Sequence, residues 1–83
     1  MSKVLINLDI PALGEKYDLF VPTDVEVGQI IGLLAKSVNE LSLIEYVSSG
    51  QEFLCSKEKQ ITFEMDRTLE SYGILNGDHL ALI

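Results

Sequence analysis

The hydrophobic period of this chain changes once, near residue 22, and that change limits the folds open to it. Residues 3–10 and 15–21 alternate apolar and polar side chains, which is the period of a half-buried β-strand. The Pro/Gly-containing turn at 11–14 joins the two runs and predicts a β-hairpin. The apolar residues that follow have the spacing of an amphipathic helix: Val27, Ile30, Ile31, Leu34, Val38 and Leu41.

The start of this helix is open to two interpretations. Thr23 and Glu26 have the spacing of a capping box, which would start the helix after Thr23, and a start nearer Glu26 is the alternative. Gly28 and Gly32 lie inside the helix, where each costs about 1 kcal/mol relative to alanine. They are either tolerated by solvent exposure or close packing, or they leave a smooth helix surface for a partner.

The second half of the chain predicts short strands. Residues 41–51 fit either a helical turn or a strand. Residues 52–56 indicate a strand with Phe53 and Cys55 on the inner face and Leu54 on the outer face, and residues 60–63 indicate a short return strand. A compact turn ending at Gly73 and a bend at 76–78 lead into a final strand at 79–83.

The order strand, strand, helix, strand, strand, turn, strand predicts an α+β fold. We expect one mixed sheet of four to five strands with one main helix packed on one face. A chain of 83 residues has room for one hydrophobic core, so residues 1–83 are expected to form a single domain.

Composition argues against several classes of partner. The chain has 13 Asp+Glu against 6 Lys+Arg, a formal net charge of −7, which disfavours nucleic acid and anionic membrane surfaces. It has no apolar run long enough to span a membrane and no signal-peptide pattern, so insertion in a membrane is not expected. The lone Cys55 fits a reducing compartment, and the expected location is the cytoplasm.

The chemistry-bearing residues give little support to catalysis. With one cysteine and one histidine, a zinc site cannot be filled, and no metal or cofactor is expected. A Cys55–His79 dyad is conceivable on neighbouring strands, but the predicted alternation places Cys55 inward and His79 outward. The expectation is therefore a protein that is not an enzyme.

Three segments carry a resemblance to a known family. The nonapeptide DRTLESYGI (66–74) resembles the segment before the last strand of ubiquitin, which implies the β-grasp fold with strand order 2-1-5-3 and a short fourth strand beside strand 3. Together with KYDLFVP (16–22) and VGQIIGLL (27–34), the closing DRTLESYGILNGDHLALI (66–83) is similar to the YukD/EsaB family of ubiquitin-like proteins from Gram-positive type VII (ESX-like) secretion systems. The resemblance implies a cytosolic accessory protein that binds part of that machinery.

The same resemblance raises a second hypothesis, a modifier or sulfur carrier activated at its C-terminus. Such proteins need a flexible Gly-Gly tail, whereas this sequence ends in Ala81-Leu82-Ile83 with no glycine after Gly77. Conjugation and sulfur transfer are therefore the less favoured expectation.

A protein of this kind would act through its surface. Given the implied strand order, alternation places an apolar ribbon on the sheet face away from the helix, and this ribbon is the predicted partner-binding site. A homodimer through the same face is the alternative, and the acidic charge would favour a basic partner. The predicted contact residues are Leu54, Ala81 and Ile83, extended by Leu5, Phe20 and Leu13.

Overall fold

Five strands and one main helix share one core in the computed structural model, which describes residues 2–41 and 50–83. In chain order the elements are β1 (Lys3–Ile10), β2 (Glu15–Pro22), α1 (Val27–Leu41), β3 (Leu54–Ser56), β4 (Ile61–Thr62), a short 3-10 helix (Glu70–Tyr72) and β5 (His79–Leu82). The strands form a single sheet in the order β2-β1-β5-β3-β4. The predicted mixed sheet with one helix on one face is confirmed, and its strand order is the one that the resemblance implied.

The first hairpin follows the predicted pattern. β1 and β2 pair in antiparallel register over their whole length, from Lys3 opposite Pro22 to Ile10 opposite Glu15. At the turn, the Leu13 N–H donates to the carbonyl oxygen of Ile10 at 3.0 Å. Gly14 adopts φ of 65°, a left-handed conformation that costs glycine little. A tight, glycine-dependent turn therefore fixes the register of the two longest strands.

Helix α1 begins at Val27, and backbone carbonyls from a distant loop satisfy its first N–H groups. The Val27 N–H donates to the Arg67 carbonyl at 2.8 Å, and the Gly28 N–H donates to the Met65 carbonyl at 3.0 Å. The helix start near Glu26 is thus the correct alternative, and Thr23 is not its N-cap. The expected stripe is buried up to Val38, whereas Leu41 at the last helical position is exposed.

The remainder of the ambiguous segment 41–51 lies largely outside the described residues. α1 ends at Leu41, and the described part of the chain resumes at Gly50. No helix within residues 2–41 and 50–83 is long and apolar enough to cross a lipid bilayer.

The final strand lies in the middle of the sheet. β5 runs parallel to β1, with Leu8 opposite Leu80, and antiparallel to β3, with Leu54 opposite Leu82. The bend that precedes β5 is also bonded to β1, since the Gly77 N–H donates to the Leu5 carbonyl oxygen at 2.8 Å. Removing β5 would separate β1 and β2 from β3 and β4, because no other described strand joins the two hairpins.

The segment between β4 and β5 closes the open end of the core. Phe63, Leu69 and Ile74 are buried against the helix and sheet. Tyr72 packs on Phe63 with ring centroids 4.7 Å apart, and its hydroxyl accepts a 3.0 Å hydrogen bond from the Glu64 N–H. Gly73 ends the 3-10 turn at φ of 71°, as its position in the sequence predicted. The core is thus enclosed by the sheet, by α1 and by the segment between β4 and β5.

Two neighbouring leucines of α1 test the packing. Leu34 is 2% exposed and Leu33 is 51% exposed. We expect Leu34→Ala to lower the free energy of unfolding by about 2–5 kcal/mol, because it leaves a cavity in the core. Leu33→Ala should change it by less than about 0.5 kcal/mol. Urea unfolding measures both variants, and equal losses would contradict the assignment of the buried stripe.

The helix glycines are distinguished by what a side chain would meet. A Cβ at Gly28 would lie 3.4 Å from the Met65 carbonyl oxygen, whereas one at Gly32 would meet no described atom within 4 Å. Gly28 thus allows a close approach, and Gly32 does not require one.

Gly32→Ala should raise the free energy of unfolding by about 0.5–1 kcal/mol, because alanine favours the helical conformation. Gly28→Ala should give a smaller gain, since its methyl group crowds the Met65 carbonyl. Thermal unfolding of the two variants checks the difference. A lower midpoint for Gly32→Ala than for the parent protein would contradict its open placement.

Candidate interaction surface

The sheet face opposite α1, called the outer face below, is defined by the strand register. Directly paired residues point their side chains to the same face. Leu5 pairs with Phe20, Asp9 with both Lys16 and Ala81, and Cys55 with Ala81. The described outer-face residues of the four longer strands and their extensions are Lys3, Leu5, Asn7, Asp9, Lys16, Asp18, Phe20, Pro22, Phe53, Cys55, His79, Ala81 and Ile83.

The structure places four of the six predicted contact residues on this face: Leu5, Phe20, Ala81 and Ile83. Phe20 and Ile83 are 69% and 60% exposed, and Leu5 is less exposed. Leu13, in the turn after β1, is half-buried and packs against the core. Ala81 lies on the outer face as predicted, but its longer neighbours cover it almost completely. The Ala81 side chain therefore lies beneath its neighbours and cannot serve as an exposed contact residue.

The sixth residue, Leu54, was assigned to the wrong face. Its side chain is 0% exposed and lies in the core opposite Leu82. Phe53 and Cys55, predicted to point inward, lie on the outer face instead. The physical reason is that the polar residues of this segment, Glu52 and Ser56, share the face of Leu54 and are themselves buried, so the alternation indicates the wrong face. Phe53 is the functional candidate that sequence reasoning missed.

One apolar feature of the outer face is the Phe53–Ile83 corner, which we define as Phe53, Cys55, Thr62 and Ile83. These four residues line a shallow cleft of about 320 Å³. Phe53 is 54% exposed, although its backbone is fixed: it exchanges hydrogen bonds of 2.7 and 2.8 Å with Ile83. An exposed aromatic ring on a rigid strand pair is well suited to bury apolar area against a partner.

A polar cleft of about 200 Å³ occupies the middle of the outer face, above Ala81. On one side the Lys57 ammonium lies 3.4 Å from a carboxylate oxygen of Asp9. On the other side Asn7 donates from its side-chain nitrogen to Asp18 at 3.1 Å, and its side-chain oxygen lies 3.2 Å from His79 Nδ1. Because the cleft carries charges of both signs, the rim of the corner is not uniformly acidic.

The polar cleft divides the apolar ribbon that the sequence predicted. Leu5 and Phe20 pair near the start of β1, whereas Ala81 is level with Asp9 near its end. Ile83, two residues farther along β5, is level with position 11, so it lies roughly 20 Å from Leu5 along the strand direction at about 3.3 Å per residue. The outer face thus has two separate apolar corners rather than one continuous strip.

Cys55 and His79 both lie on the outer face, contrary to the opposite placement that was predicted. Cys55 pairs with Ala81, while His79 lies two residues earlier on β5 and directs Nδ1 at Asn7. Among the described residues no hydrogen bond joins Cys55 to His79. Nor do residues 2–41 and 50–83 contain a group of three or more His, Cys, Asp or Glu placed to hold a metal ion. This geometry does not assemble a nucleophile and its base.

Comparison with protein families identifies the family of this chain. The family described as "WXG100 protein secretion system (Wss), protein YukD" matches residues 5–82, from β1 to β5. The chain belongs to the YukD family. The resemblance identified from the sequence is therefore confirmed. No curated protein sequence gives a significant match.

Solved structures place this YukD-family chain among ubiquitin-like domains. It superposes on the EccD5 ubiquitin-like domain from Mycobacterium xenopi with a TM-score of 0.81 at 17% identity, covering 100% of this chain and 94% of that one. The ubiquitin-like domain of the Mycobacterium tuberculosis type VII secretion protein ECCD1 gives 0.68 at 14%, covering 100% and 99%. Caldiarchaeum subterraneum ubiquitin gives 0.72 at 21%, covering 99% and 92%. These similarities establish the ubiquitin-like β-grasp fold.

A further neighbour is part of an assembly. In a structure titled "MycP5-free ESX-5 inner membrane complex, State II", the similar region gives a TM-score of 0.76 at 17% identity. It covers 98% of this YukD-family chain and 20% of that chain. A domain of this fold thus forms one part of a larger protein in that complex.

Aspartate substitutions at neighbouring positions test the corrected orientation of β3. Leu54→Asp should lower the free energy of unfolding by more than about 3 kcal/mol, because it buries a carboxylate in the core. Phe53→Asp should lower it by less than about 1 kcal/mol, because that side chain already faces solvent. Urea unfolding followed by circular dichroism distinguishes them, and a larger loss for Phe53→Asp would show that β3 presents its other face.

Proposed function

We propose that this protein is a non-catalytic accessory or regulatory component of a type VII secretion system and acts in the cytoplasm by noncovalent protein–protein binding. Its partner in this proposal is a cytosolic part of the secretion machinery. The Phe53–Ile83 corner is the observation that carries the proposal, with the Leu5–Phe20 corner as a secondary contact.

Family membership and fold support the choice of system. The chain is a YukD-family protein, and its structural neighbours include ubiquitin-like domains of type VII secretion proteins. One of those neighbours lies within an inner membrane complex, which is consistent with a protein partner.

Physical chemistry supports the choice of surface. Binding energy at protein interfaces is concentrated in a few aromatic and apolar anchors that become fully buried. Phe53 and Ile83 together offer such an anchor, and the hydrogen bonds between their backbones hold the strand pair that carries it in place. A preorganised anchor loses little conformational entropy on binding.

The charge of the protein would affect both the rate at which a partner associates and its orientation. The net charge of −7 would speed association with a basic partner over distances shorter than the Debye length. Closer to the corner, Asp9, Lys16 and Lys57 offer both signs of charge, so the partner's polar groups would select the orientation of the complex.

A double substitution at the corner tests the proposal. Purified cytosolic domains of the secretion proteins encoded beside this gene would be titrated with the protein in a calorimeter. We expect Phe53→Asp/Ile83→Asp to weaken binding at least about 30-fold, because truncating an interface hot spot costs about 2 kcal/mol or more.

The control is Phe20→Asp, which places the same charge at the opposite corner of the outer face. It should weaken binding less than about fivefold, because it touches only the secondary contact. Unchanged affinity of the double variant for a domain that binds the parent protein would exclude the Phe53–Ile83 corner.

The alternative, a modifier or sulfur carrier activated at its C-terminus, predicts a covalent product. Intact-mass measurement of the native protein, with and without ATP and cell extract, distinguishes the two functions. An adenylate, a thiocarboxylate or a protein conjugate would favour the alternative, and an unchanged mass is expected under noncovalent binding.

A further inference from the structure

Among the described strands, the longer of the two at the sheet boundary has an edge with no neighbour. β2 is the terminal strand of the five-stranded order, and it is eight residues long, whereas β4 at the opposite boundary has only two residues. An exposed, unbroken edge strand is a template for pairing with another strand. β2 is therefore the place where this sheet could be extended.

The hydrogen bonds of β1 show which backbone groups of β2 are available. Leu5 and Asn7 direct their backbone groups toward the β5 side, since Leu5 accepts from Gly77 and Asn7 donates to Asp78. Alternate residues of a strand bond to opposite sides, so the even residues of β1 bond to the odd residues of β2. Lys16, Asp18 and Phe20 therefore present their N–H and C=O groups to the open edge.

The charges on this edge are self-complementary in one register. An antiparallel pair of β2 strands related by a two-fold axis through Tyr17 places Lys16 opposite Asp18 of the second copy, and Asp18 opposite its Lys16. Shifting the axis to Asp18 would oppose two carboxylates, and shifting it to Lys16 would oppose two ammonium groups. Like charges directly opposite are destabilising, and opposite charges are stabilising.

Both charged groups are free for this role. Within the described part of the chain, Lys16 forms no ion pair, and Asp18 uses one carboxylate oxygen to accept from Asn7. The second oxygen of Asp18 remains open to an ammonium group. Both side chains lie on the outer face, so the pairs would form at the surface of the extended sheet.

From these observations we propose that two copies of this chain associate through β2, antiparallel and centred on Tyr17, into one continuous ten-stranded sheet. Each Lys16–Asp18 pair exchanges two backbone hydrogen bonds, and the two-fold axis generates two such pairs. The contact is smaller than a standard interface of about 1,600 Å², so the dimer is weak and forms at high local concentration. It leaves both Phe53–Ile83 corners uncovered.

The net charge of −7 on each copy opposes association, but that repulsion is spread over the surface. At physiological ionic strength it is screened beyond about 8 Å, whereas the paired charges are in contact. The alternative is that Lys16 and Asp18 serve only to keep the edge strand solvated, a common protection of such strands. That alternative predicts a monomer at every concentration.

Sedimentation equilibrium from micromolar to millimolar concentration tests the proposal. We expect the apparent mass to rise from 9.2 kDa toward twice that value as concentration increases. Lys16→Asp and Asp18→Lys should each weaken self-association at least about tenfold, because each opposes like charges in both pairs. Circular dichroism confirms that each variant is folded.

Mixing the two variants gives the decisive result. One carries two carboxylates on the edge and the other carries two ammonium groups, so an equimolar mixture restores opposite charges in both pairs. We expect the mixture to recover the parent dissociation constant within about threefold. A parent protein that remains monomeric at millimolar concentration, or a mixture that associates no better than its components, would overturn the proposal.

Discussion

The pairing of β5 with both β1 and β3 is the constraint on which the rest of the structure depends. Among the described strands the two hairpins share no direct hydrogen-bonded contact, so the sheet exists as one unit only because β5 lies between them. Leu80 and Leu82 point from this strand into the core, while His79 and Ala81 form part of the outer face. The same four residues thus join the sheet, complete the core and support the outer face.

The pairing of β5 with β1 and β3 also determines the geometry of the outer face. β5 brings Asp9 of β1 and Cys55 of β3 to either side of Ala81, whose small side chain leaves room for the polar cleft. Beyond the cleft, the hydrogen bonds between Phe53 and Ile83 extend the ladder by one more pair and hold the aromatic ring at the surface. The outer face thus presents an exposed apolar corner next to polar groups of both charges.

Much of the fold could be predicted from the sequence because its strongest signals are long. The alternation in β1 and β2 and the helical stripe from Val27 to Val38 each extend over many residues, and polar side chains mark their solvent sides. β3 lacks both advantages. The polar residues Glu52 and Ser56 lie on its buried side, so its orientation is decided by the register with β5, which depends on residues far away in the chain.

The wrong orientation predicted for β3 also affected the predicted contact residues. Reversing β3 exchanges Leu54 for Phe53 at the surface, while the prediction for Phe20, on a strand with a clear period, is correct. Ile83 is also placed correctly, although residues 80–83 are all apolar. The start of α1 is likewise decided by residues that are distant in the sequence. Its first N–H groups bond to the carbonyls of Met65 and Arg67, which no local sequence pattern could indicate.

In the proposed function, the outer face recognises a secretion-system protein through the Phe53–Ile83 corner. Mapping amide chemical shifts of the isotope-labelled protein during titration with a binding domain tests this most directly. The largest changes are expected at Phe53, Cys55 and Ile83, with little change along the exposed side of α1 around Leu33. Changes confined to α1, with an unperturbed β3–β5 pair, would contradict binding through the outer face.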